Sequence, residues 1–261
     1  GLLALLASGW MLLRWGVARR TVQLERRETA LQALVDQRTA ELREASTTDP
    51  LTGLRNRRYL DSRVDSDLQL CLRHYTEPRH HNPDDEADLL VVLMDLDHFK
   101  RINDRHGHAA GDQVLTEFAR RLRAVFRESD VLVRWGGEEF LALARGGARS
   151  GATELAQRFC AAIRDQPFTL ADGRTLTVTV SIGFAVFPLD PESPRAWDWD
   201  ATLSLADAAL YTAKAQGRDG YVGALRGNGL RPGAMGPDTE TWMDEPRLQV
   251  RRSGGNLPPS G

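Results

Sequence analysis

Asp88-Leu89-Leu90-Val91-Val92-Leu93-Met94-Asp95-Leu96-Asp97 is the stretch on which the fold turns. Leu89 to Met94 is an unbroken apolar run of strand length, which reads as a buried β-strand. It ends abruptly in two carboxylates. Strand residues two apart point to the same face, so Asp95 and Asp97 emerge together where the strand stops. Two acids side by side at the end of a buried strand are costly unless a cation neutralises them. Mg²⁺ is the natural choice, because it prefers oxygen ligands and accompanies phosphates. Termination of the strand by two solvated aspartates accounts for the pattern equally well.

Downstream, Ala109 to Phe126 has helical spacing, with Val114, Phe118, Leu122 and Phe126 on one face. Val131 to Trp135 and Phe140 to Ala144 read as two strands joined by the Gly136-Gly137 turn, a hairpin. Gly151 to Asp165 predicts a helix with Leu155, Phe159 and Ile163 inward. Leu176 to Val186 predicts a strand or strand pair containing Gly183, and Asp200 to Gln216 a helix closed by Gly217. Upstream, Asp49-Pro50 and Thr52-Gly53 are turn signals, and a helix is expected from Arg57 to Tyr75. Thr76 to Asp88, rich in His, Pro and Asp, reads as a loop. Helix, strand, helix, hairpin, helix, strand, helix is an α+β plan close to a split βαβ or ferredoxin-like core.

The flanks differ in character. Leu2 to Leu13 is almost wholly apolar and is followed by Arg14, Arg19 and Arg20. Twelve helical residues span about 18 Å, short of the hydrocarbon core of about 30 Å. Residues 1–18 therefore read as the end of a transmembrane helix that begins upstream of Gly1, with the arginines on the cytoplasmic side; a buried or interfacial helix is the alternative. A cleaved signal peptide fits worse, since its charge precedes the apolar run. Residues 19–46 lack Gly and Pro and carry Leu24, Leu31, Val35 and Leu42 at rough 3-4 spacing, interrupted at Glu28 and Arg38. A short parallel coiled-coil linker and a single solvated helix describe that pattern equally well. Residues 224–261, rich in Gly, Pro and Arg, read as a disordered tail.

Composition narrows the function. The 261 residues are 41% hydrophobic with a net charge of -2, which gives no reason to expect nucleic-acid binding. Cys71 and Cys160 have no paired spacing for zinc or redox chemistry. Among 34 Lys plus Arg, only Lys100 and Lys214 are lysine, so each lysine draws attention. The Gly136-Gly137 turn needs positive φ and lets a ligand approach the backbone, and Glu138 and Glu139 place two acids at its tip. An ordinary hairpin with solvated acids is common. A second acidic cluster beside Asp95 and Asp97 is what raises the two-metal arrangement of nucleotidyl transfer.

Around these acids stand other groups with chemical potential. Backbone amides after the strand, near Phe99 and Lys100, can cradle phosphates. Asn103 and Asp112 can read a guanine edge or simply cap helices. His106 and His108 read as loop histidines, with no third ligand spaced to join them. Lys214 and Arg218, four apart near the end of the last helix, either complement its dipole or clamp a triphosphate. Arg127 and Asp130 either pair at a helix end or present a guanidinium and a carboxylate to a guanine-containing ligand.

Taken in order, the motifs resemble the GGDEF family of diguanylate cyclases, in its GGEEF variant, over residues 47–223. They are Asp49-Pro50-Leu51-Thr52-Gly53-Leu54 with Asn56-Arg57-Arg58, Asp95-Leu96-Asp97-His98-Phe99-Lys100, Asn103, and Gly107-His108 through Gly111-Asp112. Arg134-Trp135-Gly136-Gly137-Glu138-Glu139-Phe140 and Ser181-Ile182-Gly183 follow, then Ala206-Asp207, Leu210-Tyr211, Ala213-Lys214 and Gly217-Arg218. Leu96 stands where isoleucine is usual, and Asp219 where Asn is common.

The resemblance implies a palm-type antiparallel central sheet flanked by helices and preceded by a long signalling helix. It implies condensation of two GTP into cyclic di-GMP, each GTP presented by one copy of a homodimer. Asp95, Glu138, Glu139 and the Leu96 carbonyl would hold two Mg²⁺ or Mn²⁺ ions, and Glu138 would help deprotonate the attacking 3′-hydroxyl. Asn103 and Asp112 would recognise guanine, while Lys214, Arg218 and the backbone at Phe99-Lys100 would hold phosphates. Arg127 and Asp130, with Arg158, would form a site at which cyclic di-GMP inhibits. The expected setting is the bacterial inner membrane with the catalytic domain in the cytoplasm. The alternative is a catalytically silent cyclic di-GMP receptor that uses only Arg127 and Asp130.

Overall fold

A computed structural model of the chain describes residues 31–32, 47–76, 87–147, 149–236 and 238–254. The expected membrane helix and most of the linker lie outside these residues, as does 77–86 of the expected loop. No helix among the described residues is long and apolar enough to cross a membrane. The chain divides after Thr47, and the unit that begins at Thr48 is described below.

The decisive strand, β2 (Asp88–Leu96), is buried along its whole length. Its alternate residues feed two cores. Leu90, Val92, Met94 and Leu96 belong to one core, while Leu89, Val91 and Leu93 belong to the other. A strand covered on both faces needs no polar alternation, which is why the run is continuous. The first core is closed by α4 (His108–Val125) and α5 (Ala152–Arg164). The second is closed by α1 (Arg57–Asp61), α2 (Val64–Thr76) and α6 (Trp199–Ala215).

The other strands are β1 (Arg55–Asn56), β3 (Val131–Gly136), β4 (Glu139–Gly147), β7 (Val180–Phe187), β8 (Gly220–Gly227) and β9 (Leu248–Arg252). The sheet order is β1-β3-β4-β2-β7-β8-β9. Its centre, β3-β4-β2-β7, is antiparallel throughout and has the split βαβ order expected from the sequence. β1 joins β3, and β8 joins β7, in parallel. The second of these joins uses α6 as the crossover, as a parallel connection requires. A small separate ribbon pairs β5 (Phe168–Thr169) with β6 (Thr175–Leu176).

Three expectations need correction, and one helix was not foreseen. The helix expected over Arg57 to Tyr75 is two helices, broken where Ser62 Oγ bonds back to the Tyr59 carbonyl at 2.7 Å, a hydroxyl competing with helical bonding. Phe99–His106 is a helix, α3; it is short and polar, buries only Phe99, and so carries no periodic signal. His106 ends this helix and His108 opens α4, so neither lies in a loop. The expected disordered tail is structured over its described residues, 224–236 and 238–254: β9 pairs with β8, and Leu230, Met243 and Leu248 are core residues. Each such anchor stabilises by about 1.5–3 kcal/mol and works together with the β8–β9 pairing, neither of which Gly and Pro content reveals.

Candidate active site

α6 crosses β7 at Gly183, where there is no space for a side chain: a Cβ there would overlap the Leu210 amide nitrogen and the Ala206 carbonyl. Gly183 pairs with Leu93, and Ser181 with Asp95. One turn beyond Leu210, Lys214 therefore stands above Asp95, and its Nζ lies 2.8 Å from Asp95 Oδ2. Asp95 continues the odd-numbered series that faces α6, so the pair follows from strand alternation and helix pitch. Lys214 is bonded to a specific carboxylate rather than left as a complement to the helix dipole.

On the other side of β2, Asp95 pairs with Glu139 of β4. Glu138 and Gly137 form the tip between β3 and β4, with Gly137 at φ 53°. The tip is held from behind by Arg134. Its Nε and Nη2 donate to the Gly137 carbonyl at 3.1 and 2.9 Å, and its Nη1 reaches Asp49 Oδ2 at 3.2 Å. Asp49 also accepts from the Thr52 amide at 2.8 Å and the Thr52 hydroxyl at 2.6 Å. Burial would raise the Asp49 pKa, but these Thr52 bonds and the Arg134 charge outweigh it and hold it below the ordinary value. The Asp49–Thr52 turn is thus the anchor of the acidic hairpin, a role that turn chemistry alone did not reveal.

Glu138 and Glu139 both have raised pKa values. Burial is the main cause, followed by the Asp95 charge, with Lys214 partly offsetting both. Among the described residues no three His, Cys, Asp or Glu side chains converge closely enough to hold a metal as they stand. The donor chemistry nevertheless fits a hard divalent cation: the groups are carboxylate oxygens and the Leu96 backbone, and an added cation would relieve their mutual repulsion.

Asp97 does not join this cluster. It accepts from Thr179 Oγ1 at 2.7 Å, Ser181 Oγ at 2.6 Å and the Asp219 amide at 3.0 Å. Its carboxylate instead ties β2 to the strand beside it and to the turn after α6. In that turn Arg218 and Asp219 both have positive φ, 64° and 45°, which Asp tolerates better than most residues. Arg218 and Lys100 are exposed, and the side chain of Phe99 is buried. Asn103 on α3 lies directly over Gly111 near the start of α4, where a Cβ would meet its carboxamide oxygen. Asp112 is exposed on the next position of that helix, so both residues stand on helices at one junction.

Arg127, Asp130 and Arg158 line one cleft of about 170 Å³, shared with Arg145 and Glu154. Asp130 does not wait for its neighbour's guanidinium. It accepts from the backbone amides of Arg127, at 2.8 Å, and Arg145, at 3.1 Å. Arg158 donates to the Val125 carbonyl at 3.1 Å.

A family model described as "Diguanylate cyclase, GGDEF domain" matches residues 46–220. Response regulator PleD of Caulobacter vibrioides is 40% identical over 181 residues, 69% of this chain and 36% of that protein. Diguanylate cyclase DgcP of Pseudomonas aeruginosa is 41% identical over 177 residues, 68% of this chain and 24% of that protein. The chain thus spans roughly a quarter to a third of the length of these relatives. Among solved structures, the coiled coil and GGDEF domain of DgcB from Caulobacter crescentus in complex with c-di-GMP superposes with a TM-score of 0.61 at 26% identity. That match covers 74% of this chain and 93% of the other.

Proposed function

Because the chain belongs to the GGDEF family of diguanylate cyclases, we propose that it condenses two GTP into cyclic di-GMP and two pyrophosphates. The observation that carries this reading is the Lys214–Asp95 pair set beside two acids of raised pKa at the hairpin tip. A receptor that only binds product has no use for such a cluster.

In the proposed reaction, a 3′-hydroxyl loses its proton, its oxygen forms a bond to the α-phosphorus of the second GTP, and the bond to pyrophosphate breaks. The same exchange in the other direction closes the ring. Glu138 takes the proton; its raised pKa brings it nearer to the operating pH, where a general base is most effective. Lys214 and Arg218 hold the triphosphate, assisted by the amides at Phe99 and Lys100 at the start of α3. Asn103 and Asp112 hold the guanine edge. Asp95, Glu138, Glu139 and the Leu96 carbonyl would hold two Mg²⁺ or Mn²⁺ ions. Such ions supply charge neutralisation at the phosphate and lower the hydroxyl pKa.

The product needs two nucleotides facing each other, so the active unit in this proposal is a homodimer. Residues 19–46 act as its coupling helix, and residues 1–18 as its membrane anchor, with the catalytic unit on the cytoplasmic side of a bacterial inner membrane. The cleft lined by Arg127, Asp130 and Arg158 is assigned to inhibition by cyclic di-GMP. Two guanidinium groups and an orienting carboxylate suit a guanine base beside a phosphate.

The deciding experiment incubates the chain with GTP and Mg²⁺ and identifies products by mass. Cyclic di-GMP is expected. Its absence, with the dimer confirmed, overturns the proposal.

A further inference from the structure

The ordered segment that follows β8 lies beyond the residues that match the family model, and it touches the proposed phosphate side at two places. The first is the edge of the sheet. β9 covers β8 with pairs running from Gly227–Leu248 to Val222–Arg252. Past the last of these, Ser253 grips Tyr221 from both sides. The Ser253 amide donates to the Tyr221 carbonyl at 2.9 Å, and the Tyr221 amide donates to Ser253 Oγ at 3.0 Å. Ser253 Oγ also lies against Gly220, in the space a Cβ would fill. Gly220 directly follows Arg218 and Asp219, the two residues held at positive φ. Ser253 and Gly254 share a cavity of about 570 Å³ with Arg218, Asp219 and Arg164.

The second contact is on α6. The 3-10 turn Thr239–Asp244 packs against this helix, and Glu240 accepts a hydrogen bond from Tyr211, which lies one turn before Lys214. The turn and the strand are fastened to each other: Arg252 Nη2 donates to the Met243 carbonyl and to Asp244 Oδ1, both at 2.9 Å. The strand that leads to Ser253 is thus fastened to a turn that also packs on the helix carrying Lys214.

We propose that residues 228–236 and 238–254 are a clamp on the Gly217–Gly220 turn and that Ser253 is a positioning residue for Arg218. A turn with two consecutive non-glycine residues in the left-handed region carries strain and persists only where its surroundings hold it. Asp97 holds it from the inside through the Asp219 amide. Ser253 holds it from the outside, one residue further on. Loss of the Ser253 hydroxyl leaves the Tyr221 amide without its acceptor and lets the turn relax, moving the guanidinium that the turn presents. The inference rests on the assignment of Arg218 to the triphosphate.

The test uses the full chain, with Ser253→Ala, Ser253→Thr, Arg218→Ala and the double variant Ser253→Ala/Arg218→Ala. Amide hydrogen exchange reads the turn directly, and equilibrium binding of GTP reads its use. Ser253→Ala is expected to speed exchange at Asp219 and Tyr221 and to weaken GTP binding at least threefold, with Ser253→Thr close to the parent. In the Arg218→Ala background, Ser253→Ala is expected to change GTP binding no further, because the group it positions is gone. Unchanged exchange in Ser253→Ala overturns the clamp whatever the reaction. An equal weakening of binding with and without Arg218 overturns the positioning role. A parent chain that binds GTP without making cyclic di-GMP removes the cyclase assignment alone, and the clamp then stands or falls on binding and exchange.

Discussion

Gly183 lies directly beneath Leu210, with no room for a Cβ between strand and helix. This contact sets the depth at which α6 sits on the sheet, and so places Lys214 over Asp95. Gly183→Ala forces α6 outward. Overpacking of this kind costs about 1–3 kcal/mol, a fall in Tm of a few degrees. Turnover should fall much further, by about a hundredfold, since small displacements of a positioned group are expensive in rate. Thermal unfolding beside product formation from GTP checks both. Full turnover in Gly183→Ala would show that the Lys214–Asp95 distance does not matter.

Asp49 and Arg134 are far apart in sequence but form one brace behind the hairpin. Asp49→Asn keeps the shape and weakens the charge-assisted part of that brace. Turnover is expected to fall about tenfold, roughly 1.4 kcal/mol of transition-state stabilisation. Because the Asp49 pKa is lowered in the folded chain, its contribution to stability is complete above the ordinary value of 3.8 and disappears as pH falls through the lower folded value. The Tm of Asp49→Asn should therefore lie below that of the parent at neutral pH and meet it in strong acid. A constant difference across the range would assign the loss to packing.

The sequence exposed those parts of this arrangement that depend on local pattern. The apolar run at Leu89–Met94, the hairpin and the 3.6-residue spacing of α4 to α6 each carry their own periodicity, and the ferredoxin-like order follows from them. Of the two rare lysines, the fold brings Lys214 onto Asp95 and leaves Lys100 exposed. What stayed hidden depends on contacts between distant segments. Asp97 reads as a twin of Asp95, yet Thr179, Ser181 and Asp219 claim it. α3 has too few buried residues to show a period. β9 lies in a Gly- and Pro-rich stretch whose few apolar residues matter only because a sheet edge stands ready to receive them.

Glu138 and Glu139 lead to a pH prediction of opposite sign to that of Asp49. Each pKa is raised above its ordinary value of 4.5, first by burial and then by the charge of Asp95. Between that value and the folded one, the folded chain keeps protons that the unfolded chain has lost, so stability falls as pH rises through the window. Glu138→Gln removes the penalty. Without divalent cations its Tm should exceed that of the parent at pH 7, and the gap should close toward pH 4. Mg²⁺ should stabilise the parent more than Glu138→Gln. A lower Tm for Glu138→Gln at pH 7 would contradict the electrostatic account.

The hairpin tip and the Arg127 cleft lie at opposite ends of β4, with Glu139 at one and Arg145 at the other, and share no residue, which makes their functions separable. Glu138→Ala should abolish turnover, by a factor of about 10³ or more, while cyclic di-GMP still binds the chain. Arg127→Ala should have the reverse effect: turnover stays near that of the parent, but added cyclic di-GMP no longer suppresses it. Calorimetric titration with cyclic di-GMP, alongside initial rates, distinguishes the two. If Glu138→Ala also loses product binding, the two sites are one.

The coupling role proposed for residues 19–46 carries the last prediction. A reaction that needs two facing nucleotides depends on how often two catalytic units meet, and a tether raises their effective concentration to about the millimolar range. Removal of residues 1–46 leaves the unit that begins at Thr48 intact but removes the proposed tether. The specific activity of the shortened chain should then rise steeply with protein concentration, whereas that of the longer chain should be nearly flat. At micromolar protein the shortened chain should be mostly monomeric by sedimentation and slower by at least tenfold, with recovery as its concentration is raised. Equal activity and equal dimer content at low concentration would place the dimer contact in the catalytic unit itself and leave residues 19–46 without a coupling role.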